Sequence, residues 1–97
     1  MTENQREWRS ARNELVTIMR ELGFPGELGE QIARELGSPK AIRRMSAYLA
    51  YERPQRVETV VDEMLAIQSD IERWKEKKAS EEANRKYNEM LNRRRFQ

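Results

Sequence analysis

Apolar residues recur at three- and four-residue spacing in four stretches of this 97-residue chain, with polar residues between them. This spacing places the apolar side chains on one face of an α-helix, because a helical turn takes about 3.6 residues. The first stretch covers about residues 4 to 22, and its apolar positions are Trp8, Ala11, Leu15, Ile18, Met19 and Leu22. Thr2 or Asn4 can cap the start of this predicted helix, and Gly23 can adopt the left-handed conformation that ends it.

Two shorter stretches follow. The second covers about residues 27 to 36, with apolar positions Leu28, Ile32, Ala33 and Leu36. The third covers about residues 39 to 51, with apolar positions Ile42, Met45, Tyr48 and Leu49. Gly37 can end the second helix, while Ser38 is a favoured N-cap and Pro39 a favoured first helical residue. The short link between them predicts that these two helices cross at a steep angle.

The longest apolar stripe follows Pro54, which can open a fourth helix. Its members are Val57, Val60, Met64, Ile67, Ile71 and Trp74, widened by Val61 and Leu65. Beyond Trp74 the apolar rhythm fails, and it returns only weakly at Ala83, Tyr87, Met90 and Leu91. The tail is therefore predicted to be helical and weakly buried, either continuing the fourth helix or breaking near residues 79 to 80 and folding back.

Together these stretches predict a single all-α domain over residues 1 to 97, a compact bundle of four or five helices. Three short helices occupy residues 1 to 53. We expect residues 54 to 97 to form a long amphipathic helix or a helical hairpin, with a charged C-terminal helix and a frayed end. An apolar fraction of 37% and a mean hydropathy of -1.03 leave only a modest core.

The composition argues against catalysis. The chain has no Cys and no His, so it lacks both the common neutral-pH base and an activated thiol, and it cannot form thiolate metal sites. Glu58 and Asp62 have the spacing of a carboxylate pair, but a solvated helix face is the commoner reason for such a pattern. We expect a protein that is not an enzyme and has no cofactor, metal or small-molecule substrate. A polar N-terminus and the lack of a long apolar run predict a cytoplasmic protein without a membrane partner.

A basic face on the third helix suggests one kind of partner. The chain carries 19 basic and 17 acidic residues, a net charge of +2, so a nucleic-acid partner has to be argued from a local patch. The candidate phosphate contacts are Lys40, Arg43, Arg44, Arg53 and Arg56. Residues 27 to 51 resemble a helix-turn-helix unit with a small residue at Ala33 and a turn glycine at Gly37, although Ile42 arrives one position early. The alternative function is therefore a DNA-binding regulator.

The turn Leu22-Gly23-Phe24-Pro25 suggests a second kind of partner. Over residues 15 to 49 the chain resembles the ubiquitin-associated three-helix domain, and this resemblance implies partner contacts at Gly23, Phe24 and Leu49. Phe24 can instead cover the end of the core at the helix stop. The whole chain also resembles small uncharacterised helical proteins of Gram-positive bacteria, which informs the fold alone.

The widened stripe of the fourth helix adds self-association as a further hypothesis, with burial inside the monomer as its alternative. The predicted function is a non-catalytic interaction or accessory protein that binds a protein partner or itself. Its candidate contact residues are Phe24, Pro25, Leu49, Val61 and Leu65.

Overall fold

A computed structural model describes the backbone of residues 2 to 95 and the side chains of residues 2 to 89. Four α-helices follow one another along the chain: α1 (Glu3–Glu21), α2 (Gly26–Leu36), α3 (Pro39–Glu52) and α4 (Val57–Arg95). No strand occurs among the described residues. The all-α prediction is confirmed. The chain continues α4 through residues 79 to 80, so the charged tail is the second half of α4 and not a fifth helix.

Local capping explains where the first three helices begin and end. Thr2 and Gln5 form a capping box, in which each side chain accepts a hydrogen bond from the other's backbone N–H, at 3.3 Å and 3.0 Å. Gly23 has a φ of 93° and follows the end of α1. Ser38 caps α3, since its Oγ accepts a hydrogen bond from the Ala41 N–H at 3.2 Å.

The start of α4 differs from the prediction, because the helix begins at Val57 and not at Pro54. Arg53 adopts a left-handed conformation with a φ of 47°, and its N–H donates to the Leu49 carbonyl, which closes α3. Pro54 follows directly and is buried in the connector. Four residues, 53 to 56, therefore connect α3 to α4.

α1 and α2 form an antiparallel pair around a close backbone contact. Gly29 lies so near α1 that a Cβ atom built on it would be 3.1 Å from the Cα of Val16. The next residue of α2, Glu30, pairs at 4.0 Å with Arg12, which lies one turn before Val16 on α1. Because the α1 residue number falls as the α2 number rises, the two helices run in opposite directions. A side chain at residue 29 would hold them apart.

In the part of the chain that the structure describes, α4 packs on α2 and α3 but not on α1. Arg44 of α3 forms an ion pair with Asp70 of α4 at 2.7 Å. One turn later on α3, desolvation raises the pKa of the Tyr48 phenol, and the carboxylate of Glu63 on α4 is the next largest cause of the rise. Because the residue number on α4 falls as the number on α3 rises, α3 and α4 are antiparallel. The α1–α2 pair and the α3–α4 pair are therefore both antiparallel hairpins.

The core draws on all four helices. Its buried apolar side chains are Ala11, Leu15, Met19, Phe24, Ile32, Ala33, Leu36, Ala41, Ile42, Met45, Leu49, Val60 and Ile67. Among the described side chains of α4, only Val60 and Ile67 are fully buried, and Met64 and Ile71 pack against the core at its margin. The stripes of α1, α2 and α3 therefore cover one another inside the monomer, whereas Val57, Leu65 and Trp74 of the α4 stripe remain exposed.

The second half of α4 extends beyond the rest of the fold. Every described side chain from residue 76 to residue 89 is exposed. The radius of gyration is 19.0 Å, whereas about 13 Å is usual for a compact domain of this size. The prediction of a compact bundle thus holds for α1, α2, α3 and the first half of α4, and it is wrong for the rest of α4. The face of α4 that is buried in the first half continues in the second half with the charged residues Lys78, Glu82 and Arg85. This face therefore has no apolar side chains there that could enter a core.

Candidate docking site at the two-tryptophan end

Both tryptophans flank the short turn between α2 and α3. Trp8 lies in a groove of about 1020 Å³ between α1 and residues 37 to 39. Trp74 lies in a groove of about 750 Å³ on the other side of the turn, between residues 36 to 44 and α4. Gly37 and Ser38 line both grooves. We call this region, formed by Trp8, the turn at residues 37 to 39 and Trp74, the two-tryptophan end.

The groove beside Trp74 arises where α4 leaves the body of the protein. Ile71 is partly buried against the core, and Trp74, one turn later on the same face, is 59% exposed. Leu36 and Ala41 form the apolar floor beneath them. An indole exposed to this extent above an apolar groove is available to a second molecule.

Two contacts fix α4 at this position. The Gln68 side-chain amide donates a hydrogen bond of 2.8 Å to the Glu35 carbonyl, near the C-terminus of α2. Arg44 donates to the Asp70 carboxylate at 2.7 Å. Each contact joins segments that are far apart in sequence, so they orient Trp74 relative to the turn.

The two-tryptophan end is positively charged. Its grooves are lined by five cations, Arg9, Arg12, Lys40, Arg44 and Lys75, and by one carboxylate, Asp70. Cations also lie over both indole rings, Arg12 at 5.8 Å from the Trp8 centroid and Lys78 at 5.0 Å from the Trp74 centroid. Glu30 and Asp70 partly neutralise Arg12 and Arg44, which leaves Arg9, Lys40 and Lys75 to attract an anionic partner.

The residues predicted to contact a partner lie in different parts of the structure, some in the core and some on the surface. Phe24 is 8% exposed and Leu49 is 0% exposed, so both belong to the core and are unavailable to a partner on the surface. Pro25 is exposed in the turn between α1 and α2. Val61 is half-buried and Leu65 is 52% exposed, both on α4. Only Val61 and Leu65 share a surface.

The residues predicted to contact phosphate do not form one patch either. Arg44 is paired with Asp70, while Arg43 lines a groove of α1 that also contains Glu3 and Glu7. Arg53 lies at the far end of α3, about 20 Å along the helix axis from Lys40. Arg56 follows in the connector. Lys40 and Arg44 are the members that belong to the two-tryptophan end.

The sequence pattern made Trp74 the last member of an apolar stripe, buried in the monomer or used in self-association, and gave no indication of a groove. The signal that could have identified it is the change after Trp74, where the same face continues with Lys78. A large aromatic residue at the end of an apolar stripe indicates the edge of a core, where one face of the ring meets solvent. Trp8 marks the corresponding edge on α1.

Among the described side chains, no cluster of three or more acidic residues could hold a metal ion. In the described part of the chain no helix combines the length and the apolar character that crossing a membrane requires. Comparisons of the chain with protein-family models, with curated proteins and with solved structures find no match.

Proposed function

We propose that this chain is a non-catalytic interaction protein that binds an acidic, amphipathic segment of a partner protein at the two-tryptophan end. The observation that carries the proposal is Trp74, 59% exposed above an apolar groove whose rim carries Lys40 and Lys75. Tryptophan is among the residues most enriched at binding hot spots, because it offers a large rigid surface with a polar N–H.

The apolar floor favours an aliphatic anchor on the partner. Leu36, Ala41 and Ile71 surround a space of about 750 Å³, which falls within the usual range of binding pockets. A leucine or isoleucine inserted there would be covered by the Trp74 ring. Helical segments present such anchors at three- and four-residue spacing, and this matches a groove that follows α4.

The charge of the rim favours acidic residues beside that anchor. Arg9, Lys40 and Lys75 are exposed cations, and electrostatic complementarity of this kind speeds association and selects among partners. Asp70 lines the groove and is paired with Arg44. Because the floor is aliphatic and two of the five cations are already paired, a protein segment fits better than nucleic acid.

A fluorescence titration tests the proposal. Trp8→Phe leaves Trp74 as the single indole, and its emission reports on the groove. The probes are two synthetic amphipathic helical peptides that share Leu positions and carry either Glu or Lys on the polar face. We expect the Leu/Glu peptide to shift the emission of Trp74 and to bind more weakly as salt rises, and the Leu/Lys peptide to have no effect.

Variants make the test specific. Lys40→Glu combined with Lys75→Glu should abolish binding of the Leu/Glu peptide. The control is Arg34→Glu, which reverses the charge of an exposed residue on α2 outside both grooves and should leave peptide binding unchanged. Equal binding of both peptides, or no binding of either, would contradict the proposal. A duplex DNA that binds at low salt more tightly than the Leu/Glu peptide would replace it with the DNA-binding alternative.

A further inference from the structure

We infer that α4 is an antiparallel dimerisation helix, and that a second copy of this chain covers the part of α4 that extends beyond the fold. The inference goes beyond the proposed function, since it concerns another face of α4. Its first support is the division of charge along the helix. Residues 57 to 74 contain five acidic residues and one Arg, a net charge of -4, and residues 75 to 95 contain eight basic and four acidic residues, a net charge of +4.

This division selects one orientation of two copies. A parallel pair of α4 helices would place each acidic half beside the other acidic half, and each basic half beside the other basic half. An antiparallel pair instead places each acidic half beside a basic half. Opposite charges along facing helices set partner choice and orientation in helix pairs. The two copies are then related by a two-fold axis near the middle of α4.

Apolar side chains form an interrupted strip along one face of α4, with one group in each half and Glu72 and Glu76 between the groups. In the first half its members are Val57, 42% exposed, Val61, half-buried, and Leu65, 52% exposed. Adding 22 residues, about six helical turns, to each of these leads to Ala79, Ala83 and Tyr87 on the same face. Tyr87 is 63% exposed.

The antiparallel arrangement joins these two parts of the strip. Leu65 and Tyr87 each lie eight residues from an end of α4, whose limits are Val57 and Arg95. Full overlap of the two helices therefore places Leu65 opposite Tyr87 of the second copy, at two symmetric positions. The contact also supports the second half of α4, because a polar helix of this length has only marginal stability alone in water.

The dimer face and the two-tryptophan end are separate surfaces. Trp74 follows Leu65 by nine residues, about two and a half helical turns, so the two side chains leave α4 on opposite sides. Dimerisation through the apolar strip would leave the grooves beside Trp74 open. A dimeric protein would then present two copies of the two-tryptophan end.

Sedimentation equilibrium on the full chain tests the dimer. We expect a mass that rises with protein concentration from one chain to two, and a dimer that weakens as salt rises. Leu65→Glu should give a monomer at all concentrations, whereas Ala66→Glu, which adds the same charge at the adjacent exposed position outside the strip, should keep the dimer. Circular dichroism checks that both variants retain their helix content. A wild-type mass of one chain at every concentration would overturn the inference.

Cross-linking tests the orientation, and the chain has no Cys of its own to interfere. Leu65→Cys and Tyr87→Cys proteins are mixed and treated with a short bifunctional maleimide. We expect a covalent dimer from the mixture and none from either protein alone. A parallel pair would give the reverse, with each protein linked to itself, and would overturn the antiparallel assignment. Failure of the peptide titration above would leave both results unaffected.

Discussion

Replacing Leu49 by Ala distinguishes a core residue from a partner contact. The Leu49 side chain is 0% exposed and packs in the core of α3, where the sequence pattern also allowed a contact with a partner. The change removes three buried carbon atoms, worth about 2.4 kcal/mol of transfer free energy at about 0.8 kcal/mol each, and leaves a cavity. We expect a loss of about 3 to 4 kcal/mol in the free energy of unfolding.

Such a loss is large compared with the total free energy of unfolding of a small domain. A domain of this size is stable by about 5 to 15 kcal/mol, so Leu49→Ala should remove a fifth of the stability or more and lower the melting temperature by roughly 12 °C or more. The matched control is Tyr51→Ala, two residues along the same helix, where the side chain is 85% exposed. Its effect should stay within about 0.5 kcal/mol, although the change removes more atoms.

Urea denaturation followed by circular dichroism measures both effects. The free energy of unfolding must fall with urea concentration at the same slope in both variants as in the wild type. Their transition midpoints can then be compared directly. Equal losses for Leu49→Ala and Tyr51→Ala, or a loss below about 1 kcal/mol for Leu49→Ala, would refute the assignment of Leu49 to the core.

Three further variants probe the packing, and each is measured by the same urea transition. The Ser46 Oγ is buried and makes no hydrogen bond to protein atoms, so Ser46→Ala should raise the free energy of unfolding by up to about 1 kcal/mol, and a clear loss would show a partner for this hydroxyl. Gly29→Val should cost about 1 to 3 kcal/mol, because its Cβ would lie 3.1 Å from the Val16 Cα, and an unchanged midpoint would argue against the close contact of α1 with α2. Asp70→Asn should cost less than about 1 kcal/mol, because both partners of its ion pair are about half exposed, and a larger cost would show that the pair is shielded from solvent.

The sequence predicted the features of the fold that depend on neighbouring residues. The cap at Thr2, the left-handed Gly23 and the Ser38–Pro39 start of α3 follow from chemistry within one turn of helix, and each occurs as expected. The start of α4 was predicted three residues too early, because the burial of Pro54 depends on how the helices pack.

The candidate site was less predictable, because it depends on contacts between distant parts of the chain. Arg44 and Asp70 are 26 residues apart, and nothing in the periodicity pairs them. The side chains of Phe24 and Leu49 are apolar whether they face a partner or the core, so their spacing could not separate the two roles. The groove at Trp74 exists only because α4 passes the turn between α2 and α3.

The division of α4 into a packed half and an extended half underlies both the groove beside Trp74 and the proposed dimer. Hydrogen exchange resolved by residue, at a concentration where the protein is monomeric, tests this division directly. The Ile67 amide should exchange only through global unfolding, and the Glu81 amide should exchange at least about a thousandfold faster, because no packing protects a polar single helix. Comparable slow exchange at both residues would mean that the second half packs on the monomer. Comparable fast exchange would mean that α4 does not belong to the core.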